Sequence, residues 1–175
     1  MSDDPSVWFR FSWNLKAGRF DVAPPPGYRV REASVADREA LVRLAVEAYG
    51  SDATWDPILG NIETRLSARI RATLGTPGVA YFVAETAGDI AALSAASLTR
   101  HDGHNLITGT CVARAHQGKG LGRVVLGSCL AWLKAQGLAE AQVYTDPRAV
   151  AARHVYPAFG AHREDAPEYR APERG

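Results

Sequence analysis

A short glycine-rich segment at residues 111–123 carries the residue types and spacing that most clearly suggest chemistry. Its sequence is Cys-Val-Ala-Arg-Ala-His-Gln-Gly-Lys-Gly-Leu-Gly-Arg. An apolar, strand-like run precedes the glycines at residues 104–112, and a long apolar, helix-like run follows them at residues 121–136. Glycines let a backbone turn tightly and approach a ligand closely. They stand here at alternate positions: Gly118, Gly120 and Gly122.

The start of the predicted helix adds an electrostatic argument. A helix N-terminus presents unpaired backbone N–H groups and a partial positive charge, and both attract an anion. Lys119 and Arg123 add formal positive charge to the same segment. A strand, a glycine-rich loop and a helix in this order therefore predict a phosphate-binding site, and a pyrophosphate is the ligand that we expect.

Two common phosphate-binding loops do not fit this segment. The nucleoside triphosphate loop requires Gly-Lys followed by Ser or Thr, whereas Gly118-Lys119 is followed by Gly120. The dinucleotide fingerprint Gly-x-Gly-x-x-Gly would place its third glycine at Arg123, and it prefers an early position in its domain. Neither a magnesium-bound triphosphate nor a dinucleotide is therefore predicted.

The pattern that fits is Val-x-x-x-x-Gln/Arg-Gly-x-Gly-Leu/Ile-Gly, which resembles the acetyl-CoA pyrophosphate loop of the GNAT superfamily of acyl-CoA N-acyltransferases. The matching residues are Val112, Gln117, Gly118, Gly120, Leu121 and Gly122. Residues 152–160 are similar to the family's Ala-x-x-Leu-Tyr-x-x-x-Gly-Phe segment, and residues 28–37 resemble its first strand and helix start. The resemblance spans residues 28–160.

This resemblance implies an N-acetyltransferase that moves an acetyl group from acetyl-CoA, its cosubstrate, to a primary amine by direct attack in a ternary complex. It places the pantetheine arm beside the end of the strand, where the backbone N–H of Val112 would face the thioester oxygen. The alternative is a non-catalytic acyl-CoA-binding or sensing module of the same fold. The cofactor-binding residues implied are Cys111, Val112, Ala113, Gln117, Gly118, Lys119, Gly120, Leu121, Gly122 and Arg123.

Tyr156 is the catalytic residue that the resemblance implies, as the general acid for the departing thiolate. An ordinary tyrosine has a pKa of about 10 and an ordinary thiol one of about 8.5, so the phenol is protonated at pH 7 and can donate. Tyr156 would otherwise be an amphipathic core residue on its helix. The strand before the loop lacks the glutamate that some family members carry, so the general base stays unassigned. Candidates for it are Glu47, Asp52, Asp56, His101, Asp102 and His104.

The acceptor also stays open between a small-molecule amine and a peptide amine. Acidic residues at 52, 56 and 63 favour a cationic amine, whereas Arg65 and Arg69 oppose it. A peptide N-terminus, a lysine, a polyamine and an aminoglycoside all remain candidates.

Composition is typical of one soluble domain. The chain has 175 residues, 46% of them apolar and 22% charged, with a net charge of +1 that gives no reason to expect nucleic acid. No apolar run has the length of a membrane span, and the acidic start is unlike a signal peptide. We expect a cytoplasmic monomer or homodimer that binds no membrane. Cys111 and Cys129 fit neither a metal site nor a disulfide framework, so reduced, partly buried thiols and no metal are expected.

Hydrophobic periodicity predicts the order β, α, α, β, β, β, α, β, α, with a last strand from residue 161. This is an α/β fold with a mixed sheet, and the resemblance implies a largely antiparallel central sheet flanked by helices. The second helix is expected to point Arg65, Arg69 and Arg71 outward, and the tail from Glu164 is expected to fray.

The first residues form a pattern outside the resemblance. Apolar and polar residues alternate over residues 7–15, which predicts a half-buried strand. A turn at residues 16–19 and a short return strand at residues 20–22 would complete an N-terminal β-hairpin. The chain would then comprise a hairpin extension at residues 1–23 and a GNAT domain at residues 24–175, as one compact unit. The protein's own sheet, its acceptor-side helices or a homodimer partner would cover the apolar face.

Overall fold

The computed structural model describes residues 7–170, which form two antiparallel sheets flanked by helices. The first sheet has the order β2-β3-β4-β5, with Arg29–Glu32 (β2), Val79–Thr86 (β3), Asp89–His101 (β4) and His104–Val112 (β5). The second has the order β6-β1-β7, with Glu140–Thr145 (β6), Trp8–Asn14 (β1) and His162–Ala166 (β7). The helices are Arg38–Gly50 (α1), Leu59–Thr73 (α2), Leu121–Ala135 (α3) and Val150–His154 (α4). The predicted α/β fold is confirmed.

Tight turns connect the strands of the first sheet. Two residues with positive φ join β3 to β4, Ala87 at 50° and Gly88 at 84°. Asp102 at 51° and Gly103 at 85° do the same between β4 and β5. Such pairs match the twist of the strands they connect, which explains why Gly occupies the second position of each turn.

Helices cover both faces of this sheet. On one face, α1 and α2 pack Leu41, Leu44 and Ile70 against Tyr81 and Leu93 of the strands. The opposite face contacts α3, which forms where the long apolar run predicts a helix. None of the helices within residues 7–170 is long and apolar enough to cross a membrane.

The N-terminal strand β1 lies between β6 and β7 and pairs antiparallel with both. Its predicted apolar face, including Phe11 and Trp13, is buried against α3 and β6. The indole Nε1 of Trp13 also donates a hydrogen bond of 2.9 Å to the carbonyl oxygen of Ala158. Residues of this same chain therefore cover the apolar face.

The segment after β1 differs from the hairpin expected from the sequence. Residues 20–22 form no strand, and β1 pairs with β6 and β7 instead. Phe20 is buried, with its ring 5.8 Å from the ring of Phe159. Three alternating residues are a weak strand signal, and the two longer strands supply the pairing that β1 needs. The division of the chain at residues 23 and 24 stays a prediction.

The C-terminal segment also differs from expectation. The last predicted helix, which was expected to carry Tyr156, ends at His154, because Pro157 disfavours helical backbone at the residue before it. Tyr156 thus lies beyond the helix, where its N–H bonds to the carbonyl oxygen of Ala151 at 2.8 Å. Within the described residues, the start of the predicted frayed tail is ordered: Glu164 lies in β7, and the ring of Tyr169 stacks on that of Tyr144 at 4.1 Å. Residues 171–175 of that tail lie outside the described residues.

The backbone of Phe20 passes so close to α3 that a side chain at Gly127 would meet it. A Cβ at residue 127 would lie 2.3 Å from the carbonyl oxygen of Phe20. We expect Gly127→Ala to lower the free energy of unfolding by about 1–3 kcal/mol, because this clash outweighs the gain of up to about 1 kcal/mol in helix propensity. Urea denaturation followed by circular dichroism measures the change.

Gly60→Ala is the matched control, since Gly60 is also helical and a Cβ there meets nothing within 4 Å. We expect that variant to be as stable as the original protein or slightly more stable. Equal stability of the two variants would show that the chain after β1 does not lie against α3.

Candidate active site

A cleft of about 690 Å³ opens beside β5 and β6, which belong to different sheets. Side chains join these neighbouring strands where they approach each other. Asn105 Oδ1 accepts a hydrogen bond from the backbone N–H of Gln142 at 3.2 Å, and His104 Nδ1 accepts one from that of Tyr144 at 3.1 Å. The glycine-rich loop, the start of α3 and parts of α1, α2 and α4 complete the cleft.

The glycine-rich loop reaches the cleft in the conformation that its sequence predicts. Gly118 and Gly120 have φ values of 76° and 80°, which favour glycine. A Cβ at either position would meet nothing within 4 Å, so the backbone conformation, rather than crowding within the chain, requires these glycines. Gly122 differs, because its Cβ would lie 2.9 Å from Val155 Cγ2. Helix α3 begins here with no acidic residue in its first turn.

The end of β5 presents backbone groups toward this loop. Ala113 N–H bonds to the carbonyl oxygen of Ala91 on β4 at 2.8 Å. Because successive N–H groups of a strand point to opposite sides, the N–H of Val112 points away from β4 and toward the cleft. The Val112 carbonyl oxygen accepts a hydrogen bond from Gln117 Nε2 at 3.2 Å, which ties the loop to the strand.

The loop is also held by residues for which the sequence predicts no contact with it. The phenol of Tyr28 lies 2.7 Å from His116 Nδ1 and 3.3 Å from Lys119 Nζ. Arg114 N–H donates to Glu47 Oε1 at 2.9 Å. These three contacts join residues far apart in sequence, so no local pattern could have revealed them.

A bulge in β5 shapes the middle of the cleft. Ser94 pairs with Thr110 and Ala96 pairs with Leu106, so the three residues 107–109 of β5 face one residue of β4. Gly109 takes a φ of 65° within this bulge. The sequence gives one indication of it, a glycine inside a strand pattern.

Tyr156 and Tyr49 meet at this bulge. A Cβ placed on Gly109 would lie 2.8 Å from the phenol oxygen of Tyr49 and 3.2 Å from that of Tyr156. Tyr49 O–H donates to the carbonyl oxygen of Thr108 at 3.0 Å. Tyr156 is only 3% exposed, and burial is the main reason that its pKa lies well above the usual value. Its phenol therefore stays protonated and lines the cleft.

Most of the predicted site residues line the cleft. Three do not: Cys111 and Ala113 are buried in the core against α1 and α2, and Lys119 extends toward Tyr28. Burial raises the pKa of the Cys111 thiol to about 12. Both cysteines are free, and both are fully buried rather than partly buried as predicted. The predicted residues that line the cleft are Val112, Gln117, Gly118, Gly120, Leu121, Gly122, Arg123 and Tyr156.

Three of the four acids proposed as a general base, Glu47, Asp52 and Asp102, are hydrogen-bonded to other groups. Asp52 caps two backbone N–H groups, those of Thr54 at 3.1 Å and Val150 at 3.0 Å. Glu47 is bonded to the loop as described above. Burial alone would raise the pKa of Asp102, but the hydrogen bond from Arg69 together with the positive charges of Arg69 and Arg65 holds the pKa below the usual value.

His104 is held in one neutral tautomer. Its Nδ1 accepts from a backbone N–H, so the proton must be on Nε2, which lies 2.8 Å from the phenol oxygen of Tyr169. That phenol in turn donates to the carbonyl oxygen of Asp102 at 3.3 Å. Burial lowers the pKa of His104 to about 4. Both ring nitrogens are therefore occupied, which argues against His104 as the base.

A second part of the cleft is lined by charged and aromatic side chains. The prediction that Arg65 and Arg69 point outward is wrong: both line the cleft, and both approach Asp102 Oδ2, at 3.4 and 2.7 Å. Their neighbours come from distant parts of the chain, and we call this set the arginine–aromatic pocket. It comprises Trp8, Trp55, Arg65, Arg69, Asp102 and Tyr169.

Known structures share this fold. A tandem GNAT protein from the clavulanic acid biosynthesis pathway superposes with a TM-score of 0.61 at 16% identity, over 94% of this chain and 52% of that chain. A GCN5-related N-acetyltransferase from Sphaerobacter thermophilus gives 0.60 at 16% identity, over 91% and 49%. A conserved protein of unknown function from Staphylococcus epidermidis gives 0.60 at 13% identity, over 91% and 58%. The chain thus spans about half the length of these structures.

A search of curated proteins found no matching sequence. The model of the acetyltransferase (GNAT) family matches residues 40–161, which contain the whole of β3, β4, β5 and α3 and most of the cleft. With the family's loop at the start of α3 and the matching fold, the chain belongs to the GNAT acetyltransferase family.

Proposed function

We propose that this protein is an N-acetyltransferase that transfers the acetyl group of acetyl-CoA to a primary amine. One observation carries the proposal: a single cleft is lined by the glycine-rich loop, by the end of β5 with the N–H of Val112, and by the buried phenol of Tyr156. An anion-binding loop, a carbonyl-polarising donor and a proton donor are the groups that acetyl transfer from a thioester requires.

In this proposal, the backbone of residues 117–122 binds the pyrophosphate of CoA, and Arg123 contributes positive charge. The N-terminus of α3 supplies unpaired N–H groups and the favourable end of its dipole. The pantetheine arm lies along residues 111–113, so Cys111 and Ala113 act through their backbone while their side chains remain in the core. Lys119 contributes long-range charge from its position beside Tyr28.

The transfer itself needs one nucleophile and one proton donor. The neutral amine adds to the thioester carbon, and the Val112 N–H stabilises the negative charge on oxygen. The intermediate collapses, the C–S bond breaks, and Tyr156 donates its proton to the departing thiolate. The surplus proton on nitrogen then returns to the phenolate through water, which restores Tyr156 and leaves an amide and free CoA.

The acceptor enters this scheme as a neutral amine. Its proton is lost to solvent, because the carboxylates of Glu47, Asp52 and Asp102 and both nitrogens of His104 are engaged with protein groups. The other two candidates, Asp56 and His101, do not line the cleft. The pH dependence of the reaction then reports the acceptor rather than a protein base.

Gly120→Asp should abolish acetyl-CoA binding, because it places a carboxylate where the phosphates are expected and strains a backbone with a φ of 80°. Gly88→Asp is the matched control: Gly88 has a φ of 84°, and a Cβ there also meets nothing within 4 Å. Titration calorimetry should show unchanged affinity for the control. Equal affinity of the Gly120→Asp protein would contradict the proposed phosphate site.

Tyr156→Phe should keep acetyl-CoA affinity and lower kcat by about 100-fold or more, the typical loss for a general acid. Tyr81→Phe is the control, since Tyr81 is also buried. Its phenol lies outside the cleft and forms a hydrogen bond of 2.8 Å with the hydroxyl of Thr73. The kcat of this control should not change. Unaltered turnover in Tyr156→Phe would remove Tyr156 from the mechanism, and binding without turnover of any amine by the original protein would indicate a non-catalytic module.

The value of kcat/KM should rise with pH between 6 and 9, with an inflection at the pKa of the acceptor amine. Above pH 6, His104 is already neutral, because its pKa is about 4. Tyr156 stays protonated up to pH 9, because burial raises its pKa above the usual value of about 10. Two acceptors of different amine pKa should therefore give two different inflections. A common inflection for both would reveal a protein base instead.

A further inference from the structure

The arginine–aromatic pocket adjoins the place where Tyr156 acts. The ring of Trp55 lies 5.5 Å from that of Tyr49, and the phenol of Tyr49 meets that of Tyr156 at Gly109. All of these residues line the same cleft. An amine that reaches the thioester beside Tyr156 therefore has the rest of its structure against this pocket.

The charged part of the pocket favours an anion. Two guanidinium groups share the single carboxylate of Asp102, so these three side chains together carry one positive charge. Both terminal nitrogens of Arg69 donate hydrogen bonds, Nη1 to the carbonyl oxygen of Ile107 at 3.1 Å and Nη2 to Asp102 Oδ2 at 2.7 Å. Arg65 makes only a contact of 3.4 Å to Asp102 among the described residues. Since a guanidinium has five N–H donors, Arg65 retains most of its donors for a ligand.

The position of Arg65 suits recognition of a ligand better than stabilisation of the fold. The Arg65 side chain is 38% exposed, and a single long ion pair at that exposure contributes little to folding. A planar guanidinium matches a carboxylate in a two-bond arrangement, which a polycationic acceptor cannot use.

The other wall of the pocket is aromatic. The ring of Trp8 lies 6.0 Å from that of Trp55 and 5.3 Å from that of Tyr169. Ile58 and Ile62, at the start of α2, also line the cleft. Rings arranged at these distances bury large apolar or aromatic groups favourably. A ligand of this pocket therefore combines a negative charge with an apolar body.

We propose, on the basis of the N-acetyltransferase function above, that the acceptor is an amine that also carries a carboxylate and an aromatic side chain. Its carboxylate binds Arg65, its ring packs against Trp8, Trp55 and Tyr169, and its amine reaches the thioester carbon. The chemistry fits a free aromatic amino acid or a dipeptide with an aromatic C-terminal residue. The reaction forms the N–C bond and breaks the C–S bond, giving an N-acetyl acid and free CoA.

Matched substrates test this proposal with acetyl-CoA at a fixed concentration and release of the CoA thiol as the readout. The pairs are tryptophan with tryptophanamide and glycyl-tryptophan with its C-terminal amide; spermidine and an aminoglycoside represent polycations. We expect the carboxylate member of at least one pair to have a KM at least tenfold lower than its amide. Amidation of tryptophan makes its ammonium more acidic and so favours the neutral amine, which means that amine ionisation cannot produce this preference.

Substitution of the arginine locates the effect. Arg65→Gln should raise the KM for the preferred carboxylate substrate by about tenfold or more, as expected for loss of a charge-assisted hydrogen bond, and leave the KM for its amide unchanged. Arg71→Gln is the control, because Arg71 lies on the same helix but pairs with Glu39 at 3.1 Å outside the cleft. It should change neither value.

Several results would overturn the proposal. One is equal KM values for the acid and the amide of each pair, and another is a higher kcat/KM for a polycation. A third is an equal effect of Arg65→Gln on both members of a pair. Each of these results would contradict the proposed acceptor while leaving acetyl transfer intact. Absence of thiol release with every amine tested would overturn both this proposal and the proposed function.

Discussion

The cleft depends on the way in which β5 and β6 satisfy their backbone polar groups without pairing with each other. Buried N–H groups need acceptors, and a direct ladder between the two strands would close the space. Side chains of Asn105 and His104 accept these hydrogen bonds instead. Two sheets can then lie side by side with a gap between them, and the loop, Tyr156 and the arginine–aromatic pocket all occupy the edges of that gap.

Engagement of the polar groups at this gap also limits the chemistry. His104 and Asp52 hold backbone N–H groups, and Asp102 holds two arginines, so these three serve the architecture of the site. The phenol of Tyr156 differs, because it lies beyond α4 at the bulge of β5 with its ring against Phe11 and Trp13. In the mechanism that we propose, the protein supplies a buried proton donor, while removal of a proton from the acceptor is left to solvent.

The parts of the fold and site that the sequence predicted are those encoded by contiguous residues. The strand before the loop, the alternate glycines and the start of α3 lie within about twenty residues, so local periodicity and backbone preferences suffice to predict them. The same holds for the apolar faces of α1 and α2. Gln117 and Val112 meet because they are five residues apart in one turn.

The remaining parts depend on contacts that no local pattern contains. Arg65 and Arg69 look like solvated residues on a helix flank, and only the position of Asp102 in the β4–β5 turn shows where they point. Trp8 and Tyr169 come from opposite ends of the described chain and meet because β1 lies beside β7. The sequence predicts a strand at Phe20 where the structure has a buried loop, because alternation over three residues cannot distinguish the two.

The position of β1 has a consequence for the order in which the chain folds. Its partners come late in the sequence; Trp13 and Ala158, for example, are 145 residues apart. The first sheet forms through short turns between successive strands, whereas the second cannot close until β6 and β7 have left the ribosome. Contacts of such long sequence separation are slow to form. During synthesis, the apolar face of β1 is therefore exposed until β6 and β7 emerge. A chaperone that shields this face until then would favour correct folding.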